Sequence, residues 1–491
     1  MVIWYNNPMT TEPAVLARNT SYFTLALVAQ KVISFLYFTF LARLLGPASI
    51  GKYVFALSLT TIFSVLLDLG SANVLTREVA REPGSAERYA RLIIGFKLAV
   101  MLVVVGLAAA FVWLTGYPLI TRQLVYIAAV VMVLDSFTLT AYSTIRGFHN
   151  LIWESIGTVL MQAVVAGGGL AVSFFTHDLR WFMAALALAA LVNCGYSLWQ
   201  LRWRYLIKLK PHWNVIDYKF LARLTWPFAL AAVLTRLYGY LDTVLLSLLS
   251  GDQAVGIYSV AYKITFALQF IPAAFSASLF PGFSAYFKQA PEKLAATFMR
   301  GCIYLTAIAV PVALGIIALA PEIIRKIYPA FTDSIVPLQI LIFSLIFLFL
   351  TFPVGALLPA CDRQLRQTGN LALAAGSNLI LNLILIPIWG PLGAAAASLI
   401  STLVLLSAGW LVARQLVRLD NKFLSQRLGA IMIAGLIMLV LAWWLKYYIH
   451  FLAVVPVAGV VYTALLLGLG GVTRQEIKEL TRVILKRQPV Q

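Results

Sequence analysis

The chain has 491 residues, of which 62% are hydrophobic and only 11% charged, with a mean hydropathy of +0.90. No water-soluble fold covers that much apolar surface, so the composition excludes soluble enzymes and soluble binding modules. The net charge of +19 would suggest nucleic acid in a soluble protein, but its placement along this chain gives it another cause, and no nucleic-acid partner is expected.

The N-terminal segment, 1–20, is polar and not strongly basic, and reads as a cytoplasmic leader. No small-residue cleavage site follows a short apolar core, so the first apolar block is expected to stay in the mature protein. Fourteen apolar blocks follow, at 21–45, 53–76, 92–115, 123–145, 152–175, 181–201, 225–249, 256–282, 299–321, 335–359, 368–389, 391–413, 428–449 and 451–472. Each is about 20 residues or slightly more, enough for a helix to cross about 30 Å of hydrocarbon. They are continuously apolar rather than alternating, which predicts helices and not a β-barrel. The expected fold is therefore an all-α polytopic membrane protein.

Most of the 37 Lys and Arg residues fall in segments on the N-terminal side of the membrane. The opposite side carries few, among them Arg43, Lys52, Arg122 and Arg180. This bias predicts cytoplasmic termini and a multi-pass protein of the cytoplasmic membrane, and it accounts for most of the net charge. The organisation read from these blocks is a six-span N-lobe at 21–201, a basic cytoplasmic linker at 202–224 and a six-span C-lobe at 225–413. Two further spans lie in 414–472, followed by a basic cytoplasmic tail at 473–491. The linker reads as a positive-inside loop, with a basic segment lying on the membrane surface as the alternative.

The chain repeats itself. LLGPASIGKYVFA follows the first block and LLSGDQAVGIYSVA the seventh. One constant shift carries Leu41 onto Leu246, Gly46 onto Gly251, Gly51 onto Gly256, Tyr53 onto Tyr258 and Ala56 onto Ala261. It crosses an even number of spans, so the halves are parallel repeats, and substrate sites in repeat transporters usually lie between such halves.

The same shift carries Lys31 onto Arg236. Both lie roughly ten residues from the inner end of a span, about 15 Å deep at 1.5 Å per residue. A cation there costs about 2.5–3.5 kcal/mol on insertion scales, so both are expected to face protein or water. Helical spacing puts Thr24, Lys31 and Ser34 on one face of span 1, beside Gln30, and Arg236, Tyr240, Thr243 and Ser247 on one face of span 7. Lys31, Arg236 and Lys263 are the candidate ligands for an anionic head group, because Lys offers a compact charge and Arg a fork for phosphate oxygens. Gln30, Thr24, Ser34, Tyr240 and Thr243 are candidate polar linings. Lys97 lies near enough to the inner surface to be read as snorkelling.

Asp68 and Asp135 are candidate ion-coupling acids or partners of the buried cations; Glu154 reads as an ordinary interfacial acid. Asn378 and Asn382 are four apart and suit interhelical hydrogen bonding. Gly167–Gly169, Pro227, Pro272 and Pro353 mark expected bends. GPLGAAAAS, from Gly390, is a small-residue face for close helix packing. Cys194, Cys302 and Cys361 are scattered and predict neither a disulfide framework nor a metal site. No phosphate-binding G-x-x-x-x-G-K-[ST] loop occurs and no nucleophile is arranged with a base, so neither a cofactor nor enzymatic activity is expected.

LARLLGPASIGKY, then LLDLGSANVLTREVAR, and later IPIWGPLGAAAASLIS resemble motifs of the multidrug/oligosaccharidyl-lipid/polysaccharide flippase superfamily. The similarity is to its polysaccharide-transporter branch, the Wzx-type oligosaccharide flippases, and runs from about residue 15 to 415. The resemblance implies alternating-access movement of a polyprenyl-pyrophosphate-linked oligosaccharide across the membrane, with a cationic cavity that Lys31, Arg236 and Lys263 would supply. It also implies ion-gradient or membrane-potential coupling, membrane lipids around the chain, and other polysaccharide assembly proteins as partners. A lipid II flippase of the same superfamily and a cation-coupled multidrug exporter are the alternatives; the latter is opposed by cations in the cavity.

Overall fold

The computed structural model describes residues 13–213, 215–473 and 475–476. Residues 1–12 of the expected leader and nearly all of the expected basic tail lie outside the described residues. The described chain is built of helices: α1 Pro13–Asp68, α2 Ser71–Arg81, α3 Ala86–Leu114, α4 Leu119–Gly147, α5 Ile152–Ser173, α6 Leu179–Trp203 and α7 Val215–Ala267. α8 Phe270–Gln289, α9 Pro291–Ile327, α10 Ile335–Ala360, α11 Gln364–Trp389, α12 Pro391–Leu416, α13 Asn421–Leu445 and α14 Phe451–Gly468 follow. Among the described residues twelve helical runs are long and apolar enough to cross a membrane, and the 47-residue Tyr22–Asp68 and 62-residue Phe228–Gln289 runs are each long enough for two crossings.

Those two long runs are the repeat. α1 turns at Gly46 (φ 75°, ψ 176°) and α7 at Gly251 (φ 83°, ψ 178°), the two positions that the sequence shift superimposes. Beyond each corner the same register is buried: Ile50 and Val255, Tyr53 and Tyr258, Phe55 and Val260, Ala56 and Ala261. Each helix then breaks at its far end. Leu69 (φ 41°) and Gly70 (φ 75°) end α1 at Asp68, so the second span stops short of residue 76 and α2 is a separate helix. A Cβ on Gly70 would lie 2.6 Å from that of Phe228, so glycine is required there by space as well as by φ. The eighth span is likewise not continuous: α7 ends at Ala267 and α8 starts at Phe270, just before Pro272, which has no N–H for the Leu268 carbonyl.

Two other expected bends are corrected. α5 runs unbroken through Gly167–Gly169, and Gly169 instead makes room for the Tyr37 hydroxyl, 2.1 Å from where a Cβ would sit. α10 is continuous across Pro353. The side chain of Pro227 lies outside what is described.

The chain packs as two compact units, residues 1–244 and 245–491. In the first, Val74, Leu75 and Val79 of α2 are buried with Ala90 and Ile93 of α3, Tyr142 and Ile145 of α4 and Leu201 of α6. In the second, α13 and α14 dock on α9: Gly435 sits against Val310, and Tyr462 Oη donates to the Ala307 carbonyl at 2.9 Å. α11 and α12 approach closely over Gly393, whose Cβ would lie 2.2 Å from the Leu385 carbonyl oxygen.

The linker between α6 and α7 is folded back on the first unit. Arg91 Nε donates to the Lys210 carbonyl (2.8 Å), the His212 amide donates to the Arg91 carbonyl (3.2 Å), and Tyr218 Oη donates to the His212 carbonyl (2.9 Å). Asp217, in the first turn of α7, pairs with Arg88 of α3 and lies 3.2 Å from His212 Nε2. The Arg88 hydrogen bond holds the Asp217 carboxyl below the usual carboxylate range. A depressed carboxyl stabilises the fold above its unfolded value of about 4 and loses that contribution as pH falls through its folded value, so the clasp is fully engaged at neutral pH.

Two predictions follow from these backbone features. Gly46→Ala and Gly251→Ala meet no neighbouring atom within 4 Å, so each is expected to lose about 1–3 kcal/mol from backbone strain alone, read as lowered thermal stability in detergent. Asp217→Asn is expected to raise tryptic cleavage at Lys208 at pH 7; unchanged cleavage would mean that the backbone bonds alone hold the linker.

Candidate functional site

α1 has two faces before its corner. Leu25, Val28, Val32 and Leu36 form an exposed apolar stripe, suited to lipid. By helical periodicity Gln30 and Ser34 lie opposite that stripe, while Thr24 and Lys31 stand at its edge as neighbours of Val28. Thr24 and Lys31 are exposed there, and Gln30 and Ser34 half-buried. Further along, that same side is packed: Tyr37, Phe38, Leu41 and Ala42 are all buried. The polar side of α1 is thus open toward its N-terminal end and closed toward the corner at Gly46.

α7 repeats this arrangement. Arg236 is exposed, Tyr240 is half-buried, and Thr243 and Ser247 on the same face are buried. The open position 31 corresponds to 236, and the packed position 38 to 243. Arg236 has no hydrogen bond or ion pair among the described residues, so its guanidinium is available to a ligand. Lys263 is half-buried, between the Gly251 corner and the break before α8, beside the stacked rings of Tyr258, Tyr262 and Phe266.

The expected snorkelling of Lys97 does not occur. Lys97 is 1% exposed, and its Nζ donates to the Ser136 carbonyl at 2.8 Å and to Asp68 Oδ1 at 3.4 Å. Ser71 Oγ donates to the same Asp68 oxygen at 3.0 Å. The break at Leu69–Gly70 makes this possible, because it ends α1 at Asp68 and starts α2 at Ser71 against one carboxylate. The ion pair joins α1, α2, α3 and α4. Nothing in the sequence near Lys97 names its partner; the usable signal was that a lysine inside an apolar run needs either water or a partner.

The two nominated acids therefore differ. Asp68 is held by Lys97, whereas Asp135 is half-buried on α4 with no hydrogen bond or ion pair among the described residues. Glu154 is forked by Arg146, with Nε to Oε2 at 2.6 Å. Asn378 Nδ2 donates to Ser401 Oγ across α11 and α12 at 3.3 Å, and Asn382 Nδ2 donates to the carbonyl and Oδ1 of Asn378. The three cysteines are buried free thiols. Among the described residues no three His, Cys, Asp or Glu side chains converge to hold a metal.

A family model described as "Polysaccharide biosynthesis protein" matches residues 16–287, and one described as MatE matches residues 227–388. The "Probable low-salt glycan biosynthesis flippase Agl15" of Haloferax volcanii is 21% identical over 79% of this chain and 81% of its own length. "Probable flippase AglR" of the same organism is 30% identical, but over only 33% of this chain and 35% of that protein. Among solved structures, "Lipid II flippase MurJ, inward closed conformation" has a TM-score of 0.76 at 15% identity, covering 94% of this chain and 99% of that one. An inward-facing multidrug resistance MATE family transporter has a TM-score of 0.63, covering 83% and 98%. At such identities these likenesses establish the fold.

The Lys97 site yields a stability prediction. Asp68→Asn leaves a buried ammonium with one carbonyl partner and is expected to cost about 3–5 kcal/mol. Asp68→Asn combined with Lys97→Met is expected to recover more than half of that loss in thermal melts. A double variant no more stable than Asp68→Asn would mean that Lys97 is not charged through its pairing with Asp68.

Proposed function

We propose, from the premise that this chain belongs to the polysaccharide biosynthesis protein family, that it is a flippase for a lipid-pyrophosphate-linked oligosaccharide. It works by alternating access in the cytoplasmic membrane, with both termini cytoplasmic, and hands its substrate to other polysaccharide assembly proteins. The observation that carries the reading is the repeat-related pair of open cations, Lys31 and Arg236, each on the polar side of a helix that is packed farther along. A pyrophosphate bears the charge that such a pair attracts, and guanidinium geometry matches its oxygens. Lys263 is a further candidate cation for the same head-group chemistry. Thr24, Gln30, Ser34, Tyr240 and Thr243 line the path of the glycan, while the lipid tail stays in the bilayer.

The relative named as a probable low-salt glycan biosynthesis flippase supports this substrate class, and the second is named a probable flippase. A cationic drug would be repelled by Lys31 and Arg236, which weighs against the exporter reading. Lipid II carries the same pyrophosphate, so the two flippase readings share a head-group site and separate at the sugar. Asp135 is the better-placed coupling acid, because Asp68 is occupied by Lys97.

Transport of a fluorescent lipid-pyrophosphate oligosaccharide in proteoliposomes tests the reading. Lys31→Ala combined with Arg236→Ala is expected to lower the rate at least tenfold with membrane insertion unchanged. Equal rates for wild type and variant would remove the anion-binding role. Faster movement of lipid II than of the oligosaccharide would favour the second substrate.

A further inference from the structure

We propose that a pocket at the end of α12, in the second unit, binds a phosphate group, carried by an anionic phospholipid or free in solution. The pocket has a volume of about 320 Å³ and is lined by Trp410, Arg414, Val417, Arg418, Leu419 and Asn421. It does not rest on the flippase reading and shares no residue with the cationic positions of that site.

The local chain path builds it. Arg414 lies in the last turn of α12, and Val417, with φ −130° and ψ 136°, turns the chain out of the helix. Arg418 and Asn421 come after that turn, yet line the same concavity as Arg414. Trp410 forms a fixed wall, its ring packed on Phe298 at 5.7 Å between centroids. An indole at a span end suits the membrane–water boundary.

Neither guanidinium has a hydrogen bond or an ion pair among the described residues. The carboxylate nearest in sequence, Asp420, is engaged elsewhere: its Oδ1 accepts the Phe423 amide at 2.9 Å and caps α13. The C-terminal dipole of α12 partly offsets the charge of Arg414, but Arg418 lies beyond the helix and gains little from it. Two forks of N–H donors facing one cavity match the oxygens of a phosphate, and basic pockets beside membrane spans bind lipid head groups by this chemistry. Topological charge bias explains why arginines occur in this loop, but not why two from either side of a chain turn share one pocket.

The full chain, purified in detergent, is titrated with phosphatidylglycerol, phosphatidylcholine and inorganic phosphate, and bound lipids are counted by native mass spectrometry. Wild type is expected to retain one more phosphatidylglycerol than Arg414→Gln/Arg418→Gln, with no such difference for phosphatidylcholine. Inorganic phosphate that displaces this lipid, or binds with a tenfold preference for wild type, would identify free phosphate as an occupant. Displacement failing, the occupant is the lipid ester. Should the glutamine variant not fold, Arg414→Lys/Arg418→Lys keeps the charge and loses the forks, and at least a threefold weaker affinity is expected. Wild-type binding of both anions by whichever variant folds would overturn the proposal.

Discussion

A positive nitrogen inside a membrane span must be paired, or it must reach water, because hydrocarbon solvates neither the charge nor its hydrogen-bond donors. That constraint sorts the deep cations of this chain. Lys97 is fully enclosed and has a carboxylate and a carbonyl as partners. Arg236 has neither and stands on an open face. Lys31, at the equivalent place in the first half, is also exposed, at the edge of the apolar stripe of Leu25, Val28, Val32 and Leu36. A paired cation spends its charge on the fold. An exposed one remains within reach of water, so burial separates the lysine of α3 from that of α1.

The architecture needed for this is set by backbone rather than by side-chain chemistry. Gly46 and Gly251 adopt a conformation that other residues reach only with strain, and each turns one apolar run into two crossings. Because both corners lie the same number of residues beyond Lys31 and Arg236, the cations arrive at matching depths in the two halves. The breaks before α2 and α8 then free the far ends of the second and eighth spans from the register of the corners. At the first break, the carboxylate of Asp68 is brought to Lys97; at the second, α7 ends at Ala267, and the repeat shift carries Asp68 onto Ala273 of α8, which has no carboxylate to offer. The repeats therefore share their open cations but not their buried ion pair.

The spans and the corners were legible in the sequence because length and apolarity decide membrane crossing, and glycine decides the corner. LLGPASIGKY and LLSGDQAVGIY carry both signals. What was not legible depended on contacts distant in sequence. Lys97 and Asp68 are 29 residues apart and meet only because α1 stops early, a break that apolar length alone does not reveal. Gly167–Gly169 read as a bend from one helix considered in isolation, whereas Gly169 answers to Tyr37 of another helix. The linker read as loop or surface helix because its anchors, Arg88 and Arg91, lie more than a hundred residues earlier.

The contrast between the two acids follows from the same sorting. A group that takes up and releases an ion during transport must be reachable and must lack a permanent counter-ion. Asp68 fails the second condition through Lys97, and pairing it is what allows four helices to share one ion pair without an uncompensated charge. Asp135, one residue from the Ser136 carbonyl that holds Lys97, has no such partner. Adjacent positions of α4 thus do opposite things. One supplies the oxygen that fixes the buried cation, while the other leaves a carboxyl without a fixed partner. Any movement of α4 that altered the Lys97 contact would also shift Asp135, so the packing of the N-terminal core and the position of that carboxyl are set together.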